Sequence, residues 1–174
     1  MAVKNFRTTF KDQASRFMEG FATKRKGDDH FDAYCIEIRD EQLARQGNLD
    51  IMYQHFDKTG LGCTFANEKG DRFALILPDA SVPGKFRYQQ FASFGWINHW
   101  TCDTLDEVVF ETYEAGMRLP APQDTLDKMA STLQWAKGIE QLELITKVNR
   151  GELTWEASLA LSEKLDEKYA AMAA

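Results

Sequence analysis

Apolar and polar positions alternate most clearly between Leu61 and Met117, where the pattern predicts two consecutive β-hairpins feeding one amphipathic helix. In the first hairpin, Leu61–Ala66 is one arm and Arg72–Leu77 the return arm. Phe73, Leu75 and Leu77 share a face opposite Arg72, Ala74 and Ile76. Gly70 supplies the turn with a residue that tolerates positive φ, and Pro78 ends the arm because it cannot donate to a ladder. The second hairpin, Lys85–Thr101, is the densest aromatic region of the chain. Phe86, Tyr88 and Gln90 fall on one face of its first arm. Trp96, Asn98 and Trp100 are expected to share a face of its second, opposite Ile97, His99 and Thr101. Thr104-Leu105-Asp106-Glu107 then reads as a capping box: Thr104 caps and Glu107 reaches back. Leu105, Val108, Val109, Thr112 and Tyr113 form the inward stripe, and Gly116 stops the helix.

Upstream, Phe6, Phe10, Ala14, Phe17, Met18 and Phe21 recur at helical spacing over residues 5–21. This predicts a core-facing helix with a solvated basic side, closed by Gly20 and a charged loop containing Lys24-Arg25-Lys26. Tyr34, Ile36 and Ile38 alternate, which predicts a strand. Asp40–Arg45 reads as a short helical turn closed by Gly47, and Leu49–Phe56 as a helix. Downstream, Leu119-Pro120-Ala121-Pro122 reads as a stiff connector. Beyond it the periodicity predicts two helices with no strand between them. One runs from Asp124 or Thr125 to Val148, with Gly138 as a soft point. The other is capped by Thr154, and the pair makes an αα-hairpin.

The expected fold is therefore α+β. An antiparallel sheet of about four to five strands is packed by helices in a body spanning residues 1–119. A C-terminal helical hairpin, residues 120–174, packs on it or on another chain.

Composition adds limits. The chain has 174 residues, enough to bury a sizeable core without staples. No apolar run is long enough for a membrane span, and the start lacks the apolar stretch of a secretory signal. Three cysteines at irregular spacing argue against a disulfide framework and for a reducing, cytoplasmic setting. The formal charge of −6 is uneven: residues 1–30 hold 7 basic and 4 acidic groups, residues 31–120 hold 8 and 14. The acidic body disfavours nucleic acid at long range.

Candidate chemistry is sparse. His99 and Cys102 are the closest His/Cys pair, but positions i and i+3 of an extended strand point to opposite faces. No cysteine pair has Cys-x-x-Cys spacing, so no metal site or cofactor is expected. Glu107, Glu111 and Glu114 form an acidic strip on one helix side. The surfaces singled out for interaction are Phe86, Tyr88, Trp96 and Trp100 on the aromatic hairpin, that acidic strip, and Trp155 on the last helix.

These features point to a non-enzymatic protein-interaction module, a small acidic adaptor, inhibitor or regulator with a protein partner. A homodimer through the C-terminal helices is one form of it. Another is a viral or plasmid accessory protein that offers carboxylates to a nucleic-acid enzyme in place of phosphates. Two other readings compete: a small enzyme with a Cys/His or carboxylate site, and a single-stranded nucleic-acid binder that stacks bases on the hairpin 85–101.

Overall fold

A computed structural model describes residues 5–24 and 29–173. Five antiparallel strands form one sheet: β1 (Thr64–Ala66), β2 (Arg72–Pro78), β3 (Phe86–Ala92), β4 (Gly95–Cys102) and β5 (Leu119–Pro120), in the order β4-β3-β2-β1-β5. Local turn chemistry sets the hairpins. The Asn67 side-chain oxygen accepts from the N–H groups of Asp71 and Arg72, and Gly70 adopts φ +69°. Ser93 and Phe94 alone join β3 to β4, and the second strand starts at Gly95 with φ +113°. Such angles lie where a Cβ is strained.

Among the described residues six α-helices accompany the sheet. A 3-10 turn (Phe6–Thr8) leads into α1 (Thr9–Lys24). Then come α2 (Asp29–Thr59), α3 (Leu105–Glu114), α4 (Gln123–Ala130), α5 (Leu133–Asn149) and α6 (Trp155–Ala173). The architecture is α+β with a C-terminal helical pair, as the periodicity predicts.

Five local expectations are corrected. Tyr34–Ile38 is not a strand, and Gly47 closes nothing: both lie inside the continuous helix α2. Cys35, Gln46, Leu49, Met52, Tyr53 and Phe56 are its buried positions, while Tyr34 and Ile36 face solvent. The alternation was thus formed by residues that do not reach the core. Leu119-Pro120 is not a mere connector but the edge strand β5, paired with Ala66 and Phe65 of β1. Proline is tolerated there because an edge position needs no N–H on its outer side. The long predicted helix breaks at Ser131–Thr132, where Thr132 caps α5, rather than softening at Gly138. Gly20 does not end α1, which runs on to Lys24. The side chains of Phe21 and of the run Lys24-Arg25-Lys26 lie outside the described residues.

The register sorts side chains into two layers. One face presents Phe65, Ala74, Ile76, Tyr88 and Cys102 to a core completed by Phe10, Leu49, Met52 and Tyr53 from α1 and α2, and by Val108, Val109, Phe110 and Tyr113 from α3. Burying each of the larger of these side chains is worth roughly 1.5–3 kcal/mol. The opposite face gathers Ala66, Phe73 and Phe91 under Leu126, Met129 and Trp135 from α4 and α5. The sheet is covered on both sides, which explains why both arms of the aromatic hairpin carry apolar bulk.

Gly47 sits on the solvent side of α2, with nothing within 4 Å of where a Cβ would stand. Gly47→Ala is therefore expected to stabilise the fold by about 0.5–1 kcal/mol, because it removes unfolded-chain freedom and adds no clash. A thermal unfolding curve at matched concentration checks this.

Candidate interaction surface

The C-terminal hairpin is assembled from local signals. Thr132 accepts a hydrogen bond from the Trp135 N–H at the start of α5, and Thr154 does the same for Ala157 at the start of α6. At the end of α5, the Glu152 N–H donates to Lys147 and the Gly151 N–H to Val148, with Gly151 at φ +71°. This is a helix stop that glycine accommodates. The two helices then pack antiparallel.

Charged contacts fix their register. Glu140 accepts from Lys168 at 2.7 Å and from the Tyr169 hydroxyl at 2.7 Å, and Lys137 pairs with Asp166 at 2.8 Å. The Lys168 ammonium, and after it the Tyr169 hydroxyl, hold the Glu140 carboxyl below its ordinary range. Ser158, Leu165 and Tyr169 are the buried positions of α6.

One end of α5 is seated on the sheet. Gly138 lies against the Phe94–Gly95 turn so closely that backbone meets backbone. Trp135, one turn earlier, stacks edge-on against Phe91 (5.7 Å between centroids) and packs on Trp96 (5.9 Å). Among the described residues, the main packing partner of α6 is α5. It forms a layer on the outer side of α5. Part of its apolar surface stays uncovered: Trp155 is 59% exposed, and Leu159, Leu161 and Met172 are also exposed. Between the two helices runs a groove of about 220 Å³, lined by Gln141, Leu144, Ile145, Trp155, Ser158 and Leu159. None of these is charged.

The sequence-derived candidates do not converge on one place. Tyr88 is buried and Phe86 half-buried in the core beneath α3. Trp96 and Trp100 do not share a face. Trp96 pairs with Phe91 and Asn98 with Gln90, so Ile97 is an extra residue in a β-bulge. The bulge reverses the side-chain parity. Trp96 turns under Trp135, while Trp100, opposite Tyr88, stays 59% exposed at the free edge of the sheet. Along α3, Glu107 accepts from the Asp103 N–H at 2.8 Å, one residue earlier than the expected reach to Thr104. Glu111 is half-buried, and Glu114 pairs with Arg45 at 2.8 Å. Trp155 lies beside an apolar concavity. The residues that sequence reading missed are its neighbours Leu144, Ile145 and Leu159. Their apolarity was visible, but which side of the hairpin they share depends on how α6 docks.

The thiols are poorly placed for chemistry. His99 is paired with Gln89 and Cys102 with Phe86, on opposite faces of the sheet. Burial, and after it Glu107, Glu111 and Asp103, push the Cys102 thiol up to about 12, and burial pushes Cys63 to about 12. A thiol so raised is scarcely ionised near neutrality. Among the described residues, no group of three or more His, Cys, Asp and Glu is arranged to hold a metal, and no helix is long and apolar enough to cross a membrane. A larger open hollow of about 440 Å³ lies beside Asn67, Arg72 and Arg118, where charges of both signs mingle and Arg118 approaches Glu68 at 3.8 Å.

The fold and this surface define the class: an α+β sheet domain carrying a helical hairpin that leaves apolar side chains uncovered. Comparison with known protein families, with curated proteins and with solved structures finds no match.

Proposed function

We propose that the chain is a protein-interaction module that engages its partner through the α5–α6 hairpin. The observation that carries this reading is the outer position of α6. Among the described residues it packs mainly on α5, yet keeps Trp155 and Leu159 in solvent beside an uncharged groove. An uncovered apolar face of this kind commonly marks a protein contact, and exposed tryptophan is the residue most often found to dominate one. The placement of the thiols supports the same reading over an enzyme using Cys63 or Cys102. The packing of Tyr88 and Trp96 supports it over base stacking along the hairpin, which needs a run of aromatic faces in solvent and finds there the exposed indole of Trp100 without those two beside it.

The test is a paired purification from the native host. The wild-type chain is expected to bring down a stoichiometric protein, and Trp155→Glu to lose it while keeping the wild-type unfolding midpoint. Retention of the same partner by Trp155→Glu would reject the hairpin as the contact.

A further inference from the structure

The groove's surroundings specify its occupant more narrowly than its lining does. On α6, Glu163 follows Leu159 by four residues, and Glu156 precedes it by three, so both border the groove on its outer side. Both are exposed. Asp166, further along the same side, is held by Lys137 from α5. The α5 wall contributes Gln141, which is neutral, and Lys137 one turn before it, whose charge Asp166 takes up, while Arg150 stands beyond the helix at the turn. Lys147 faces away and pairs with Glu143. The groove therefore has a neutral apolar floor and an acidic outer rim. Its α6 wall is lowered by two small residues, Ser158 and Ser162, one helical turn apart. Small side chains there let a third helix approach closely enough to pack ridge into groove.

On these grounds we infer that the occupant is a basic amphipathic helix of a partner protein, which lays its apolar stripe along Leu144, Ile145, Trp155 and Leu159 and sets lysine or arginine against Glu156 and Glu163. This rests on the interaction reading above. A second copy of the chain is a poor occupant. Its own α6 would bring the same carboxylates to the same rim, and its basic helix α1 already packs on α2.

Two synthetic helical peptides test the inference. They share leucines at i, i+3, i+4 and i+7, and differ in carrying lysine or glutamate at the remaining positions. Each is titrated by fluorescence anisotropy against the full chain, Trp155→Ala, and the double variant Glu156→Lys/Glu163→Lys, with unfolding midpoints confirming that all three are folded. The lysine peptide is expected to bind at least about tenfold tighter than the glutamate peptide, a difference of about 1.4 kcal/mol. Trp155→Ala should weaken it by about tenfold or more, and the double variant should reverse the preference. Equal binding of both peptides, lost in Trp155→Ala, would overturn the charge inference and leave the groove as the contact. Binding of the lysine peptide that Trp155→Ala leaves unchanged, or no binding of either peptide, would overturn the inference of a basic helix. Sedimentation of the full chain supplies the remaining arm: a dimer abolished by Trp155→Ala would name a second copy as the occupant and overturn it too.

Discussion

Gly138→Ala is expected to destabilise the protein by about 2 kcal/mol and to loosen the C-terminal hairpin from the sheet. A methyl group at this position would stand 2.1 Å from the carbonyl oxygen of Phe94, 2.5 Å from its carbonyl carbon and 2.8 Å from the Gly95 Cα. These are backbone atoms of a two-residue turn, and Gly95 is already committed to φ +113°. No side chain can swing aside to make room. Overpacking of this kind costs about 1–3 kcal/mol or more, whereas alanine returns at most about 1 kcal/mol of helix propensity. The clash wins. In a chain of this length such a loss lowers the unfolding midpoint by several degrees, on the order of 2–4 °C per kcal/mol. Because Trp96 and Trp135 lie under the same seat, their fluorescence should shift to the red in step with the loss. The contrast with Gly47→Ala is the sharper part of the claim. The same substitution in two helices is expected to act with opposite sign, because one glycine faces open space and the other faces backbone.

Gln46→Ala is expected to cost about 2–3 kcal/mol, a large effect for a residue that no motif singles out. This buried side chain of α2 serves the start of α1. Its oxygen accepts from the N–H groups of Phe10 at 3.2 Å and Lys11 at 3.1 Å, and its nitrogen donates to the Arg7 carbonyl at 2.6 Å and to Asp50 at 2.7 Å. The early N–H groups of a helix have no partner within it, so Gln46 acts as a cap supplied from a distance. Truncation leaves two donors without partners, each worth about 1–3 kcal/mol when buried and partly recovered when water enters. Chemical denaturation of Gln46→Ala and Gln46→Glu measures this. Glutamate keeps both accepted bonds but sets a carboxylate against the Arg7 carbonyl and Asp50. It should fall between wild type and alanine at neutral pH, and regain stability as acid protonates it. Equal stability of all three proteins would show that Gln46 caps nothing.

The same residue shows why part of the fold was hidden in the sequence. The continuity of α2 is hidden in the sequence because Tyr34, Ile36 and Ile38 alternate as strand residues do and Gly47 reads as a helix stop, while the buried Gln46 leaves a polar gap in its apolar stripe. Hydrophobic periodicity registers apolar positions. It cannot register a polar side chain that is buried because another helix needs a cap. Where local chemistry and burial agree, the sequence was legible: Gly70, Pro78 and the Thr104 cap each mark a boundary that the structure keeps, and Gly116 takes φ +86° just past α3. The aromatic hairpin was legible as a hairpin. The one-residue bulge at Ile97 was not, and it puts Trp96 and Trp100 on opposite faces, so that Trp96 meets Trp135 while Trp100 is left at the free edge. Gly138 was visible as an exception in its helix, but its meaning lies in a turn some forty residues earlier in the chain. The groove required knowing how α6 would dock on α5.

The interaction reading is tested most directly by a photoactivatable cross-linking residue placed at Leu159, with identical probes at Asn98 on the sheet edge and at Glu68 beside the mixed-charge hollow, each expressed in the native host. The hairpin account predicts one discrete protein adduct from position 159 and none from the other two. No adduct at 159, or the same adducts from all three positions, would contradict it.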